Sequence, residues 1–206
     1  MKIVCIADTH GDECYANLPE GDILIHAGDY DIRDLRELER INRWWGRQNF
    51  KHKVTIAGNH DLYLEKLNKH MTKEIFTNVQ YLQEDMIEIE GVKIWGAPYT
   101  PIFFSWAFMK SGDELKRIWS KIPESVDVVV THGPPLGILD YVEIGKRNIG
   151  CPHLRDRIKE IKPIYHICGH IHGSYGVYQD ECTTYINASL MDEGYNLNQE
   201  PIVVEI

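Results

Sequence analysis

The stretch Ile3-Val4-Cys5-Ile6-Ala7-Asp8-Thr9-His10 sets the reading of the chain: an apolar run, then at once a carboxylate and an imidazole. A short apolar run bounded by turn-forming residues reads as a strand buried on both faces. The arrangement recurs along the sequence. Ile23 to Ala27 leads into Gly28-Asp29, and Val54 to Ala57 into Gly58-Asn59-His60-Asp61. Val126 to Val130 leads into Thr131-His132-Gly133, and Tyr165 to Cys168 into Gly169-His170-Ile171-His172-Gly173. Successive strand ends thus carry oxygen or imidazole donors, mostly beside a glycine that permits a tight turn. In open α/β sheets ligands bind beyond the carboxyl ends of the strands, so these tips are expected to converge.

The rest of the chain fits around those strands. Met86-Ile87-Glu88-Ile89 and Val92-Lys93-Ile94-Trp95, joined at Glu90-Gly91, predict a hairpin. Tyr175 to Tyr178, Thr183 to Ile186 and Ile202 to Val204 predict three further short strands. Ile32, Leu35, Leu38, Ile41 and Trp45 repeat at helical spacing and predict an amphipathic helix. A second helix is expected from the Ser111-x-x-Glu114 capping pattern to about Trp119, and a third from Pro152 to just before Pro163. Strands alternating with helices, followed by a strand-rich tail, predict a single α/β domain over residues 1–206, with two layered sheets and helices outside. The segment from Ala97 to Lys110, rich in aromatics and proline, reads as a functional loop.

Composition narrows the function. The chain has 206 residues, a net charge of −9, 43% hydrophobic and 26% charged residues, which excludes collagenous, disordered and membrane-spanning classes. The acidic balance argues against a dedicated nucleic-acid or anionic-membrane binder, since those carry basic patches. Cys5, Cys14, Cys151, Cys168 and Cys182 form no C-x-x-C pair, and their odd number is no disulfide framework. With no export signal at the amino terminus, a cytoplasmic location is expected.

The donors at the strand ends suit divalent cations that accept nitrogen and oxygen together; thiolates would have selected softer ions. Asp8, His10, Asp29, Asn59, His132, His170 and His172 suffice for two ions sharing a carboxylate, an arrangement that can clamp a phosphate and activate water. Each residue alone has an ordinary reading, because Asp and Asn favour turns and a lone His is usually structural. Their joint placement favours the metal site. His26, His52, His70, His153 and His166 read as structural or solvated, with support of the Gly28-Asp29 turn the lesser alternative for His26, which precedes it. Trp44 and Trp45 are expected in the core, and Lys146 and Arg147 on a solvated loop. Phe103, Phe104, Trp106 and Phe108 would pack in the core or line an aromatic wall for a nucleobase or aryl group.

The blocks DTH, GD, GNHD, THG and GHIH, in that order, resemble the calcineurin-like metallophosphoesterase superfamily. The stretch THGPPLGILD, the GC before the GHIHGSYG segment and the late INAS resemble its metallophosphoesterase domain-containing phosphodiesterases. The resemblance implies a four-layer α/β/β/α sandwich, with two mixed sheets flanked by helices. It implies Asp8, His10 and His172 at a first metal, Asn59, His132 and His170 at a second, Asp29 bridging, and His60 contacting phosphate and protonating the leaving oxygen. Gly28-Asp29 leads here into Tyr30-Asp31-Ile32-Arg33, a departure from the family pattern that alters the rim of the site. The implied activity is hydrolysis of aryl or nucleotide phosphodiesters, cyclic nucleotides included, through a metal-bridging hydroxide. Mn²⁺ is the expected pair of ions, with iron or zinc as alternatives. The implied partner is a small phosphodiester or nucleotide, with neither membrane nor nucleic acid. Phosphomonoester or protein phosphatase action, a silent binding scaffold and a nuclease are the competing readings.

Overall fold

A computed structural model describes residues 1–13 and 16–206; Cys14, one of the five cysteines, lies outside them. In the first sheet, β1 (Lys2–Ile6), β2 (Ile23–His26), β3 (His52–Thr55) and β4 (Gln80–Tyr81) run parallel, and β15 (Ile202–Glu205) pairs antiparallel with β1 at the edge. The second sheet contains β5 (Asp85–Ile89), β6 (Val92–Ala97), β9 (Val128–Thr131), β12 (Tyr165–Cys168), β13 (Gly176–Gln179) and β14 (Thr184–Asn187), in the order β13-β14-β12-β9-β6-β5. Its four central strands are parallel and its two edge strands antiparallel. Two small ribbons stand apart: β7 (Thr100–Pro101) with β8 (Met109–Lys110), and β10 (Tyr141–Val142) with β11 (Arg147–Asn148).

The period of two along each strand sorts side chains between layers. Ile3, Cys5, Ile23, Ile25 and Val54 of the first sheet meet Ile94, Val128, Val130, Ile167 and Ile186 of the second in one buried cluster, so the sheets pack face to face. The intervening residues point outward. Val4, Ile6 and Leu24 cluster with Leu38, Ile41 and Trp45 of α1 (Leu35–Arg47), and His26 meets Trp45 edge-on. Trp95 of β6 meets Trp119 of α4 (Gly112–Trp119), and α5 (Pro152–Ile161) adds Leu154 and Ile158. The result is the expected four-layer α/β/β/α sandwich. Each fully buried aliphatic side chain contributes roughly 1.5–3 kcal/mol, so the two covered faces of each sheet account for the continuous apolar runs.

Helix boundaries follow the caps. The Ser111–Glu114 capping box forms, and α5 starts at Pro152 and ends at Ile161, capped by Lys162 just before Pro163. The first helix begins later than its apolar repeat implies. Asp34 accepts the N–H of Glu37 and sets the start at Leu35, which is exposed, while Ile32 lies buried ahead of the helix. Two short helices, α2 (Leu62–Lys66) and α3 (Lys69–Ile75), follow the third strand, where the sequence reading placed none. Trp44 and Trp45 are buried as expected, and so is Phe108, whereas Phe104 is 88% exposed. Cys5, Cys151, Cys168 and Cys182 are free thiols. No helix among the described residues is long and apolar enough to cross a membrane.

Candidate metal centre

The five strand-end blocks meet beyond the carboxyl edges of the two sheets. Asp8, His10 and His172 present ligand atoms within 4.8 Å of one another, as do Asp29, His132 and His170, and as do His10, Asp29 and His60. Asp29 Oδ2 lies 3.2 Å from Nε2 of His132 and 3.9 Å from Nε2 of His10, so one carboxylate oxygen faces both halves of the site. Asn59 Oδ1 is 3.0 Å from the same His132 Nε2. On the other side, His172 Nε2 lies 3.5 Å from Asp8 Oδ1 and 3.4 Å from His10 Nε2. All seven candidate ligands are therefore brought together.

The backbone that delivers them is strained and tightly held. Asp8, His10, Asp29 and His170 have φ of 51°, 42°, 64° and 71°, a region non-glycine residues rarely adopt. Such residues cost about 1–3 kcal/mol each and persist where surroundings over-determine them. Here the surroundings are the other turns. Asp8 N–H donates to the Gly28 carbonyl, and the N–H groups of Thr9 and His10 both donate to that of Asp29. His170 N–H donates to Asp8 Oδ2 at 2.9 Å, and His60 N–H to Asp29 Oδ1 at 2.7 Å. Glycine is required between them: a Cβ on Gly58 would stand 2.2 Å from Asp29 Oδ1, and one on Gly169 2.1 Å from Asp8 Oδ2.

Tautomers decide what the centre demands. His132 Nδ1 donates to the Ala27 carbonyl at 2.9 Å, and His172 Nδ1 to that of Asp192 at 3.0 Å. In the neutral ring each Nε2 is then left as an acceptor, an orientation typical of metal-ligating imidazoles. His132 Nε2 then faces two oxygen acceptors, and His172 Nε2 faces Asp8 Oδ1, a buried oxygen with no hydrogen-bond partner. In that neutral form acceptor faces acceptor, an arrangement that a bound cation balances, so the residues present fit divalent metal ions.

The electrostatics agree. Burial alone would raise Asp8 and Asp29, but the neighbouring imidazoles outweigh it and hold both well below the usual carboxylate range. Burial alone would lower His132, yet the Asp29 carboxylate holds it up at about 9, and a proton or a metal cation answers that same charge. His170 is drawn down to about 3 by desolvation, so it is neutral, as a ligand must be. His26, also lowered by burial to about 3, accepts the Gly28 N–H and contacts Thr9 Oγ1; it supports the Asp8 and Asp29 turns from behind.

Other residues matter that sequence reasoning did not single out. Buried Asp61 accepts the N–H groups of Asp29, Tyr30, Ile32 and Gly58, binding the second and third turns together. Ser189 Oγ donates to Asp8 Oδ2 at 2.6 Å. Both fall within quoted motifs, GNHD and INAS, which was the available signal. Tyr195, whose ring meets those of His10 and His172 at 5.0 and 4.9 Å, had none.

A cleft of about 790 Å³ opens over the centre. Asp29, Asn59, His60, His170 and His172 form its floor, with Phe103, Phe104, Trp106, Ile144 and Tyr195 around it. His60 reaches in with Nδ1 3.8 Å from Asp31 Oδ1, and its ring stacks on Trp106. Burial lowers its pKa, but Asp31 and Asp29 outweigh this, and the net direction is upward. Lys146 and Arg147 are exposed on the β10–β11 ribbon and are not among the cleft residues.

Comparison with known proteins places this arrangement. Residues 1–174 match the family model described as calcineurin-like phosphoesterase. Metallophosphoesterase domain-containing protein 1 of Homo sapiens is 36% identical over 230 aligned positions, which cover 100% of this chain and 71% of that protein. A UPF0046 protein of Caenorhabditis elegans is 36% identical over 220 positions, covering 100% of this chain and 75% of its own. A crystal structure with 16% identity superposes at a TM-score of 0.66 over 90% of this chain and 89% of the other, a likeness of fold alone. The chain belongs to the calcineurin-like phosphoesterase family.

Proposed function

We propose that this protein is a dinuclear metal-dependent phosphoesterase whose substrates are small phosphodiesters bearing an aryl or nucleoside group, cyclic nucleotides among them. The observation that carries the reading is the set of acceptors converging on Asp29 Oδ2, with His132 and Asn59 on one side and His10 on the other. Asp8, His10 and His172 would hold one ion and Asn59, His132 and His170 the second, with Asp29 shared. Mn²⁺ suits this nitrogen-and-oxygen donor set, as do iron and zinc. Bound there, the ions supply charge for phosphoryl oxygens and acidify a water.

The chain's own residues do the rest. Breaking the phosphorus–oxygen bond to the departing alcohol leaves an oxygen that needs a proton. His60 carries one into the cleft: with Nδ1 turned toward Asp31, Nε2 is the atom left to donate. The walls of Phe103, Phe104 and Ile144 offer flat and aliphatic surface to the ester group, which favours a diester with an apolar substituent over a small alkyl monoester.

The test is hydrolysis of bis-p-nitrophenyl phosphate against p-nitrophenyl phosphate, with and without metal. Chelation is expected to abolish activity, Mn²⁺ to restore it, and the diester to be the better substrate. Full turnover in a preparation shown by elemental analysis to be metal-free would overturn the mechanism. Equal kcat/KM on the two substrates would favour a phosphomonoesterase.

A further inference from the structure

We propose that Trp106 is a positioning residue for His60: its indole face sets the plane of the imidazole, and it holds that place because its backbone is tied to the turn that carries His60. The inference rests on the phosphoesterase reading and adds to it a residue outside the five strand-end blocks.

A histidine ring needs such a device. Its second side-chain torsion is broad, so backbone geometry alone leaves the ring plane open. Asp31 attracts Nδ1, but at 3.8 Å it is beyond hydrogen-bond length and orients the ring by charge only. His10 meets the ring edge-on, at 4.7 Å and 88°. Trp106 lies nearly parallel to it, at 4.2 Å and 24° between planes. A face-to-face contact of this kind resists rotation of the imidazole out of plane and leaves both ring nitrogens free.

The stack is built into the fold. Ala107, the next residue, donates its N–H to the Asn59 carbonyl at 3.1 Å, so the aromatic loop is bonded directly to the Gly58-Asn59-His60 turn. Phe108 N–H donates to Glu65 Oε1 at 2.7 Å, and the Phe108 side chain is buried in the core. Thr100 N–H closes the base of the loop on the Phe108 carbonyl. A half-buried indole is thereby fixed relative to His60, whereas Phe104, four residues after Thr100, stands free in solvent.

The experiment compares Trp106→Ala and Trp106→Phe, each in the wild-type and His60→Ala backgrounds. Ring order of His60 is read by NMR on imidazole-labelled, Zn²⁺-loaded protein. Turnover is read on a nucleoside alkyl diester and on bis-p-nitrophenyl phosphate. Aromatic stacks shift equilibria by about 2- to 12-fold, so Trp106→Ala is expected to lower kcat on the nucleoside diester by up to about tenfold with KM little changed, and to mobilise the His60 ring. Trp106→Phe is expected to recover most of both. In the His60→Ala background, Trp106→Ala is expected to cost nothing more. A rise in KM with kcat intact, or the same fall without His60, would make Trp106 a substrate wall and overturn the positioning role. If the metal-loaded wild type turns over no phosphodiester, the phosphoesterase reading falls instead. The ring measurement then decides alone: a His60 ring as ordered in Trp106→Ala as in wild type refutes the proposal.

Discussion

Asp61→Asn is the substitution with the most to say about how this centre is held. The Asp61 side chain is fully buried and accepts four backbone donors: Oδ1 takes Tyr30 and Ile32 at 3.0 and 3.2 Å, and Oδ2 takes Asp29 and Gly58 at 3.1 and 2.7 Å. An asparagine of the same shape offers one oxygen and one NH₂ group. If the amide oxygen keeps the Oδ1 pair, the donors of Asp29 and Gly58 face another donor. A hydrogen bond to a charged group is worth about 1.5–3 kcal/mol, so losing two costs about 3–6 kcal/mol. Against this, Asp61 is pushed up to about 7 by burial and by the Asp29 charge, and the amide relieves that repulsion. A metal-bound Asp29 repels Asp61 less, so the net loss is expected to be larger with Mn²⁺ present than with chelator. Urea unfolding measures it; with a slope of about 2 kcal/mol/M, a net loss of about 3 kcal/mol moves the midpoint by about 1.5 M. Metal titration should weaken together with it, because the two donors that lose their acceptor flank the Asp29 carboxylate. A midpoint within about 0.3 M of wild type, with unchanged metal affinity, would refute the idea that Asp61 fixes the two turns.

Three further outcomes are expected. Asp29→Asn should lower bound metal per chain and turnover together, because an amide brings no charge to share between two cations; elemental analysis showing full occupancy would remove Asp29 from the bridging position. His60→Gln should keep both metals yet slow a nucleoside diester by about 10²–10⁴-fold and an aryl diester far less, since p-nitrophenolate departs without a proton; equal slowing of both would leave His60 a phosphate contact and no acid. His166, buried beside Thr131 Oγ1 and lowered by burial to about 3, binds no proton in the folded state at pH 5 while an unfolded histidine does. Its share of stability is present above about pH 6.5 and drains as pH falls toward 3, by about 1.4 kcal/mol per unit, so His166→Gln should flatten the pH dependence of unfolding between pH 6.5 and 5 by that amount, and an unchanged slope would contradict it.

The parts of this molecule legible in its sequence were those whose signal is local. A strand buried on both faces leaves a continuous apolar run, and Asp8, Asp29, Asn59, His132 and His170 follow such runs within a few residues. The short helices were not legible, because α2 and α3 span 5 and 7 residues, too few for an apolar period to declare itself. Ile32 satisfied a helical repeat and yet lies outside the helix, since Asp34 bonding the Glu37 N–H fixes the first turn more strongly than periodicity does. The partners in contacts across the chain were not legible from neighbouring residues. Ser189 reaches Asp8 over 181 positions, and Trp106 reaches His60 only because Ala107 is bonded to Asn59.

Why the turns take these shapes is a question of mutual support. Four of the seven candidate ligands sit at left-handed φ, which no composition signals and no isolated turn would sustain. Each strained residue is bonded to a turn from another strand: Asp8 to Gly28, His10 to Asp29, His170 to Asp8. Asp29 is bonded to Asp61 in the third turn, and the His60 N–H returns to Asp29. Each turn therefore holds its neighbours in their strained shapes. The imidazoles of His132 and His10 are thus held 3.2 and 3.9 Å from Asp29 Oδ2 by the polypeptide itself. The negative charge gathered at Asp8 and Asp29 is what a cation would neutralise, and it is the physical reason these residues fit metal ions.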